Sequence, residues 1–349
     1  MLSNLVSFLF VIINSIKHYV PYKTNQIIII ILMVSFSFIS YLLSNNGDLN
    51  NYIIRMWCYL ALPFYFLYID YLKIDKKMIN FIFIINFLIS ILFLLLSLSK
   101  YSYSGYELYL GTDSAWLTLG YDNPNQTAMY LIINLIILYI AFNYYTNKIV
   151  KFMLLLDIIY IGKLLIDTSS RSCILIGLFI TAITIIKRKY TISKYFVIAI
   201  LLLPAIFMFV YPFLYESGFI YFFDFGGKTD NSSRYYMFHN VLNLVKSRSV
   251  FGAFGIFQLN NLHNGTLSVY SSLGFVGLLL FYIYFIRAYF HILDNGIKSK
   301  AAYISMIGLL AIFVHSCAEA AFIIGGSMYA GSISALILLT KLERKEVQQ

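Results

Sequence analysis

Charged side chains are scarce in this sequence. Asp, Glu, Lys and Arg make up only 11% of its 349 residues, whereas soluble globular proteins carry about 25%. Hydrophobic residues make up 60%, and long apolar runs recur along the whole chain. These runs exclude a soluble domain with one anchor, and their lack of a period of two excludes an outer-membrane barrel. We therefore expect one all-α integral membrane domain over residues 1–349.

Cysteine is also rare, and several catalytic motifs are absent. Cys58, Cys173 and Cys317 lie in or beside apolar runs, and their spacing suits buried hydrophobic residues better than a disulfide or a metal site. The sequence lacks a P-loop, a glycine-rich dinucleotide motif, the zinc-protease and thiol-redox motifs and a nucleophile elbow. It also lacks the Asp-x-Asp signature of metal-dependent nucleotide-sugar transferases. We expect no cofactor, no metal ion and no soluble nucleotide donor.

Ten apolar segments are long enough, or almost long enough, to cross a bilayer, which takes about 20 residues. They are 26–43, 51–70, 78–98, 126–145, 149–166, 172–186, 195–215, 267–289, 301–316 and 323–340. A shorter run at 2–16 is either an eleventh span or an interfacial helix, and it lacks the features of a cleavable signal peptide. The sequence therefore predicts a polytopic bundle of about 10–12 transmembrane helices.

Lysine and arginine concentrate in every second connection between these segments, which places those connections in the cytoplasm. The net charge of +10 thus reflects membrane orientation and does not indicate nucleic acid. The alternate connections face outward, and two of them are long, at 99–125 and 216–266. Loops of this length are usually either functional or disordered, and the Phe, Tyr and Gly content argues against disorder here. The aromatic residues of 99–125 and 216–225 are suited to stacking on sugar faces.

The sequence Ser-Ser-Arg occurs twice at a predicted helix start on the outward side. Ser170 and Arg171 begin one span, and Ser233 and Arg234 lie in the 216–266 loop. Hydroxyl groups, the free N–H groups of a helix start and a guanidinium together suit a phosphate. The structural alternatives are an ion pair between Asp167 and Arg171, and a simple helix cap at the second sequence.

A histidine stands where the 216–266 loop meets the next span. His263, followed by Asn264, is placed to take a proton from a sugar hydroxyl near neutral pH. A hydrogen bond to a carbonyl is the structural alternative. His315 precedes Glu319 by four residues, a spacing that puts both on one helical face. We expect Asn264, His315 and Arg248, which lies in the same loop, to contribute to substrate binding.

Two further features lie within predicted spans. Gly274 and Gly277 let helices approach closely, and packing alone would explain them. Asp157 lies near the middle of its span, where a carboxyl group either faces a polar interior or is neutral. The sequence shows no partner for it.

Together these motifs resemble the O-antigen ligase/polymerase superfamily, which contains the Wzy-type polysaccharide polymerases and their ligase relatives. The resemblance covers roughly residues 120–285. It rests on Asn123-Pro124-Asn125 before a span, Ser-Ser-Arg171, Ser-Ser-Arg234 in the long loop, Phe251-Gly252 with Gly255, and His263-Asn264 followed by Leu273-Gly274 and Gly277. Members commonly have about a dozen spans, and ten or eleven are found here.

The resemblance implies a glycosyltransferase at the outer face of the bacterial plasma membrane, with a glycan on polyprenyl diphosphate as its donor. It implies that Arg171 and Arg234 bind the diphosphate and that His263 activates or positions the acceptor hydroxyl. A flippase and a chain-length regulator are the implied partners. We expect a polymerase that extends a lipid-linked repeat unit. An O-antigen ligase with the same donor stays open, as do a flippase or exporter of the lipid-linked unit and a membrane protein without chemistry.

Overall fold

The computed structural model describes residues 13, 21–44, 48–72, 74–98, 116–121, 124–186, 191–219, 232–246, 249–254, 264–319 and 326–343. Among these residues there are helices, turns and irregular connections, and no strand. The prediction of an all-α protein is therefore confirmed. Apart from Ile13, the run at 2–16 lies outside the described residues.

Eleven helices are described, and ten of them match the ten apolar segments of the sequence. In chain order the helices are α1 (Pro21–Leu43), α2 (Leu49–Tyr71), α3 (Lys76–Ser97), α4 (Pro124–Tyr144), α5 (Lys148–Asp167), α6 (Arg171–Ile185), α7 (Lys194–Glu216), α8 (Ser232–Lys246), α9 (Gly265–Asp294), α10 (Lys300–His315) and α11 (Gly326–Leu339). The additional helix is α8, which lies within the 216–266 segment.

Six of the described helices, α1, α2, α3, α4, α7 and α9, are long and apolar enough to cross a membrane. Helices α6 and α10 are apolar but have 15 and 16 residues. At 1.5 Å per residue they extend about 22–24 Å, less than the roughly 30 Å hydrocarbon core. Helix α5 has 20 residues but contains Lys151, Asp157 and Lys163. The fold is compatible with a multi-pass membrane protein, and the predicted 10–12 spans stay a prediction.

Helix α3 buries polar side chains and exposes apolar ones. Asn86, Ser90 and Ser97 are buried on its inner face. Large apolar side chains are exposed on its outer face: Phe81, Ile84, Leu88, Leu92 and Leu95. In water, each Å² of this exposed apolar surface would cost about 25 cal/mol of free energy relative to burial. Lipid tails, in contrast, solvate such a face. The pattern suits a helix with one face toward lipid and the other packed against neighbouring helices.

The chain forms two compact units. The first contains Met1–Leu72, Ile192–Asp294 and Ile312–Ala330, and the second contains Lys73–Thr191, Asn295–Ala311 and Gly331–Gln349. In the first unit, α9 packs against α1, α2, α7 and α8. In the second unit, α4 packs against α3, α5 and α6. Each unit is thus built around one central helix.

Helix α9 is interrupted at Gly274. This residue has φ 66° and ψ −168°, a combination that essentially only glycine adopts. The backbone of residues 249–254 lies beside the break, where the N–H of Phe275 donates to the carbonyl of Ser249 at 2.8 Å. Two further backbone hydrogen bonds join the same segments. Gly274 therefore permits a break in a helix and a close approach of two backbone segments, in addition to any role in helix packing.

Candidate functional site

The second Ser-Ser-Arg sequence lies at the start of a helix, as the sequence predicted. Helix α8 begins at Ser232, so Ser233 and Arg234 are in its first turn. Of the other candidates from the 216–266 loop, Arg248 and His263 lie outside the described residues, and their roles stay predictions.

Helix α8 is held against the first unit by one apolar face. Phe238 and Val241 are buried on this face, while Tyr236 and His239 on other faces are exposed. The buried face shares a hydrophobic core with α7, α9 and the 249–254 segment, made of Met208, Tyr211, Phe238, Val241, Val245, Ala253 and Leu267. Burial of these side chains fixes the helix that carries Ser233 and Arg234.

Asn264 ties the start of α9 to the turn that follows α10. Its Oδ1 accepts the N–H of Leu267 at 2.7 Å, and its Nδ2 donates to the carbonyl of Cys317 at 3.1 Å. The neighbouring N–H of Gly265 donates to the carbonyl of Ser316 at 2.8 Å. Asn264 is completely buried. The side-chain amide of Asn264 therefore anchors the chain at the position directly after His263. The expected role of Asn264 in substrate binding stays a prediction.

His315 lies close to this anchor. It is 2% exposed and is the last residue of α10. Because the helix ends there, Glu319 lies beyond the helix and not on its face. The N–H of Glu319 donates to the carbonyl of His315 at 3.0 Å, which keeps the two residues adjacent. The structure thus brings Asn264 and His315 to the same turn of the first unit.

Ser170 and Arg171 belong to the second unit, where they begin α6. The preceding turn places Ser169 at φ 53°, and the carboxylate of Asp167 forms an ion pair with Lys163 at 3.6 Å. Asp167 therefore pairs with Lys163, whereas the structural alternative drawn from the sequence was an ion pair between Asp167 and Arg171. Ser170 is the N-cap residue, but its side chain makes no capping hydrogen bond. The positive end of the helix dipole and a guanidinium stand together there, which suits an anion.

Arg55 is a buried cation that the sequence analysis did not select. It lies in the first half of α2 and is 8% exposed. Its Nη1 donates to the Oγ of Ser272 at 3.4 Å. One helical turn later, the Tyr59 hydroxyl donates to the carbonyl of Ser268 at 2.8 Å and lies 2.9 Å from the same Ser272 Oγ. The signal in the sequence that could have identified Arg55 is an arginine inside an otherwise apolar segment.

Ser40 connects this group to the break in α9. Its Oγ donates to the carbonyl of Ser272 at 2.8 Å and accepts the N–H of Phe254 at 2.9 Å. Ser272 stands two residues before Gly274. Hydrogen bonds from α1 and α2 therefore reach α9 beside its break at Gly274. The 249–254 segment packs against α9 at the same break.

Asp157 has the polar neighbours that the sequence did not reveal. Ser90 of α3 lies beside the carboxyl group of Asp157 and donates to Oδ1 of Asn134 at 3.0 Å. The Nδ2 of Asn134 donates to the carbonyl and the side chain of Asn86 at 3.0 and 3.1 Å. Inside an apolar helix group, such bonds hold helices together. The side chains of Asn86, Ser90 and Asn134 therefore join α3 to α4, and Oδ2 of Asp157 is buried without a hydrogen bond from the described residues.

Metal-ligating side chains do not cluster in the part of the chain that the structure describes. No group of three or more His, Cys, Asp and Glu residues there could hold a metal ion. No protein-family model matches the chain, and a search of curated proteins finds no relative. The functional assignment therefore depends on the residues themselves.

Proposed function

We propose that this protein is an integral membrane polysaccharide polymerase of the bacterial plasma membrane. It transfers a growing glycan from polyprenyl diphosphate to a hydroxyl group of the next lipid-linked repeat unit. The observation that carries the proposal is the start of α6, where Arg171 follows an N-cap serine without a side-chain capping bond. The membrane-spanning arrangement of 10–12 helices and the outward-facing site are parts of the same proposal.

Diphosphate is the ligand that best suits the proposed arginines. A helix N-terminus contributes partial positive charge and N–H donors, and arginine binds phosphate oxygens in a bidentate manner. The carboxylate of Asp167, four residues before Arg171, forms an ion pair with Lys163 at 3.6 Å. Arg234, in the first turn of α8, is the second proposed diphosphate ligand. Ser170 and Ser233 contribute hydroxyl groups beside them.

The proposed reaction needs no cofactor. The oxygen of the acceptor hydroxyl forms a bond to the anomeric carbon while the bond from that carbon to the diphosphate oxygen breaks. His263 accepts the proton of the hydroxyl, and polyprenyl diphosphate leaves with the bonding electrons. Arg171 and Arg234 stabilise the negative charge that develops on the leaving group. Asn264, whose amide is bonded at both ends, holds the chain next to the base.

The apolar surface of the helices supports a lipid-linked substrate. Helices α3 and α5 expose large aliphatic and aromatic side chains along their length, which suits lipid tails and the polyprenyl chain. Arg248 and His315 complete the proposed substrate site. A flippase that supplies the repeat unit and a chain-length regulator are the proposed partners.

A polymerisation assay tests the proposal. The purified protein is reconstituted in liposomes with a lipid-linked repeat unit, and the products are separated by length. We expect a ladder from the wild type, and its loss in Arg171→Ala, Arg234→Ala and His263→Ala. Lys246→Ala is the matched control for Arg234, because it removes an exposed cation from the last turn of the same helix.

The same assay separates the alternatives. Transfer of one glycan to one acceptor without a ladder would indicate a ligase. Movement of the lipid-linked unit across the bilayer without any transfer would indicate a flippase. A ladder that persists in all three variants would contradict the proposed site.

A further inference from the structure

Three aromatic rings form a row where α7 ends and α8 begins. The rings of Tyr215 and Tyr235 are stacked, with centroids 4.3 Å apart and an angle of 15° between their planes. The ring of His239, one helical turn after Tyr235, lies 6.0 Å from it at an angle of 28°. Helix α7 therefore provides one ring of the row, and α8 provides two.

A carboxylate completes the row. Oε1 of Glu216 accepts a hydrogen bond from the Tyr235 hydroxyl at 2.7 Å. This hydrogen bond is the main cause that raises the pKa of the Tyr235 phenol, and the phenol is the donor in it. Glu216 is exposed, and an ionised carboxylate accepts about four hydrogen bonds. Among the described residues the structure shows one hydrogen bond to this carboxylate, which leaves further acceptor positions for a ligand.

Tyr235 packs against the core beneath α8, whereas Tyr236 and His239 lie outside that core. Phe238, Val241 and Val245 already bury the apolar face of the helix, whereas Tyr236 is 61% exposed and His239 is exposed. Two exposed rings, with two half-buried rings and a carboxylate beside them, combine apolar faces with hydrogen-bonding groups at their edges. A sugar ring has the complementary surface, since its C–H groups form apolar faces and its hydroxyl groups lie around the rim.

We propose that Tyr215, Glu216, Tyr235, Tyr236 and His239 form a binding platform for a sugar ring of the glycan substrate. The exposed rings of Tyr236 and His239 stack on the C–H face of the sugar, and Glu216 accepts hydrogen bonds from its hydroxyl groups. This inference deepens the proposed function and rests on it for the identity of the ligand as a glycan.

The position of the platform in the chain agrees with a lipid-linked glycan. Arg234, a proposed diphosphate ligand, directly precedes Tyr235 in the first turn of α8, and consecutive Cα atoms are about 3.8 Å apart. A sugar joined to a diphosphate at this turn is therefore within reach of the platform. The platform would bind one of the first sugars of the donor.

A competing explanation is that these rings lie in the headgroup region of the membrane, where tyrosines are common. A binding experiment separates the two. The probe is the soluble oligosaccharide that mild acid releases from the lipid-linked repeat unit, since it carries neither diphosphate nor lipid. Binding to the full-length protein in nanodiscs is measured by calorimetry, and by saturation-transfer NMR.

We expect Glu216→Gln and Tyr236→Ala each to weaken oligosaccharide binding about tenfold or more. Asn243→Ala, at an exposed position of the same helix, is the matched control and should leave the affinity unchanged. The thermal midpoint of each variant is measured to show that the fold is intact. Inorganic diphosphate is a second probe, whose binding these variants should not alter.

The outcomes distinguish the platform from the proposed reaction. Selective loss of oligosaccharide binding in a protein that never forms a ladder would support the platform and contradict the polymerase. A ladder together with unchanged oligosaccharide affinity in both variants would contradict the platform and leave the polymerase standing. Absence of oligosaccharide binding to the wild type would overturn the platform. Loss of thermal stability or lipid binding without loss of oligosaccharide affinity would assign the rings to the headgroup region.

Discussion

Replacing Gly274 by alanine should disrupt the interruption of α9. An added Cβ would lie 2.3 Å from the carbonyl oxygen of Val250 and 2.5 Å from the backbone nitrogen of Gly252. Both are backbone atoms, so no side-chain rotation relieves the contact. In addition, φ 66° with ψ −168° is a conformation that alanine rarely adopts. The 249–254 segment must therefore move away from α9.

The magnitude follows from two effects. The backbone conformation costs on the order of 1–3 kcal/mol for a residue with a Cβ. Separation of the segments breaks the hydrogen bonds from Ala253 to Ser271 at 2.7 Å and from Phe275 to Ser249 at 2.8 Å, each worth about 1 kcal/mol. We expect Gly274→Ala to lower the free energy of unfolding by about 3–5 kcal/mol.

Gly296→Ala is the matched control. Gly296 has φ 80°, and a Cβ there would meet nothing within 4 Å. Gly296→Ala therefore measures only the cost of placing alanine in a left-handed backbone conformation, about 1–2 kcal/mol, without a collision between the added Cβ and another backbone segment. Thermal unfolding of both purified variants in the same detergent gives the comparison. Equal midpoints for the two variants would refute the view that close backbone contact holds the 249–254 segment in place.

Three further substitutions test other contacts by the same thermal assay. Asn264→Ala removes the cap of α9 and its link to the turn after α10, and should lower the free energy of unfolding by at least about 1–2 kcal/mol, the cost of a lost helix cap. An unchanged thermal midpoint would refute the role of Asn264 as an anchor. Tyr59→Phe removes the hydroxyl that bonds to Ser268 and Ser272, and a loss of about 1–3 kcal/mol is expected for these buried bonds. Phe238→Ala empties part of the core beneath α8 and should cost about 3–5 kcal/mol. Faster proteolysis within 216–266 would accompany that loss, and a cleavage rate equal to that of the wild type would contradict the packing of α8.

The helices were largely predictable because their signals are local. Apolar runs predicted ten of them, and polar residues at their starts set the boundaries. Asp48, Asp75, Asn147 and Ser193 accept capping hydrogen bonds from the first turns of α2, α3, α5 and α7. Ser-Ser-Arg234 likewise predicted the start of α8. A helix start depends on a few neighbouring residues, so the sequence contains the necessary information.

The contacts of the candidate site were harder to predict because they join residues far apart in the chain. Arg55 and Ser272 are separated by 217 positions, and no local pattern shows that they meet. Asp157 was recognised as an ionisable group within a span, but Ser90, which lies beside its carboxyl group, is on another helix. Asn264 was selected for its position beside His263, and its bond to Cys317 became evident only in the fold.

The sequence by itself determined the helical class, the apolar segments and the residue types that suit a phosphate and a proton acceptor. It did so because hydrophobic periodicity, capping and charge asymmetry are properties of short stretches of chain. Only the tertiary structure decided that Gly274 breaks α9, that Arg55 is buried against Ser272 and that Tyr215, Tyr235 and His239 stack in a row. Each of these depends on which distant segments pack together, and burial of side chains within the whole unit sets that choice.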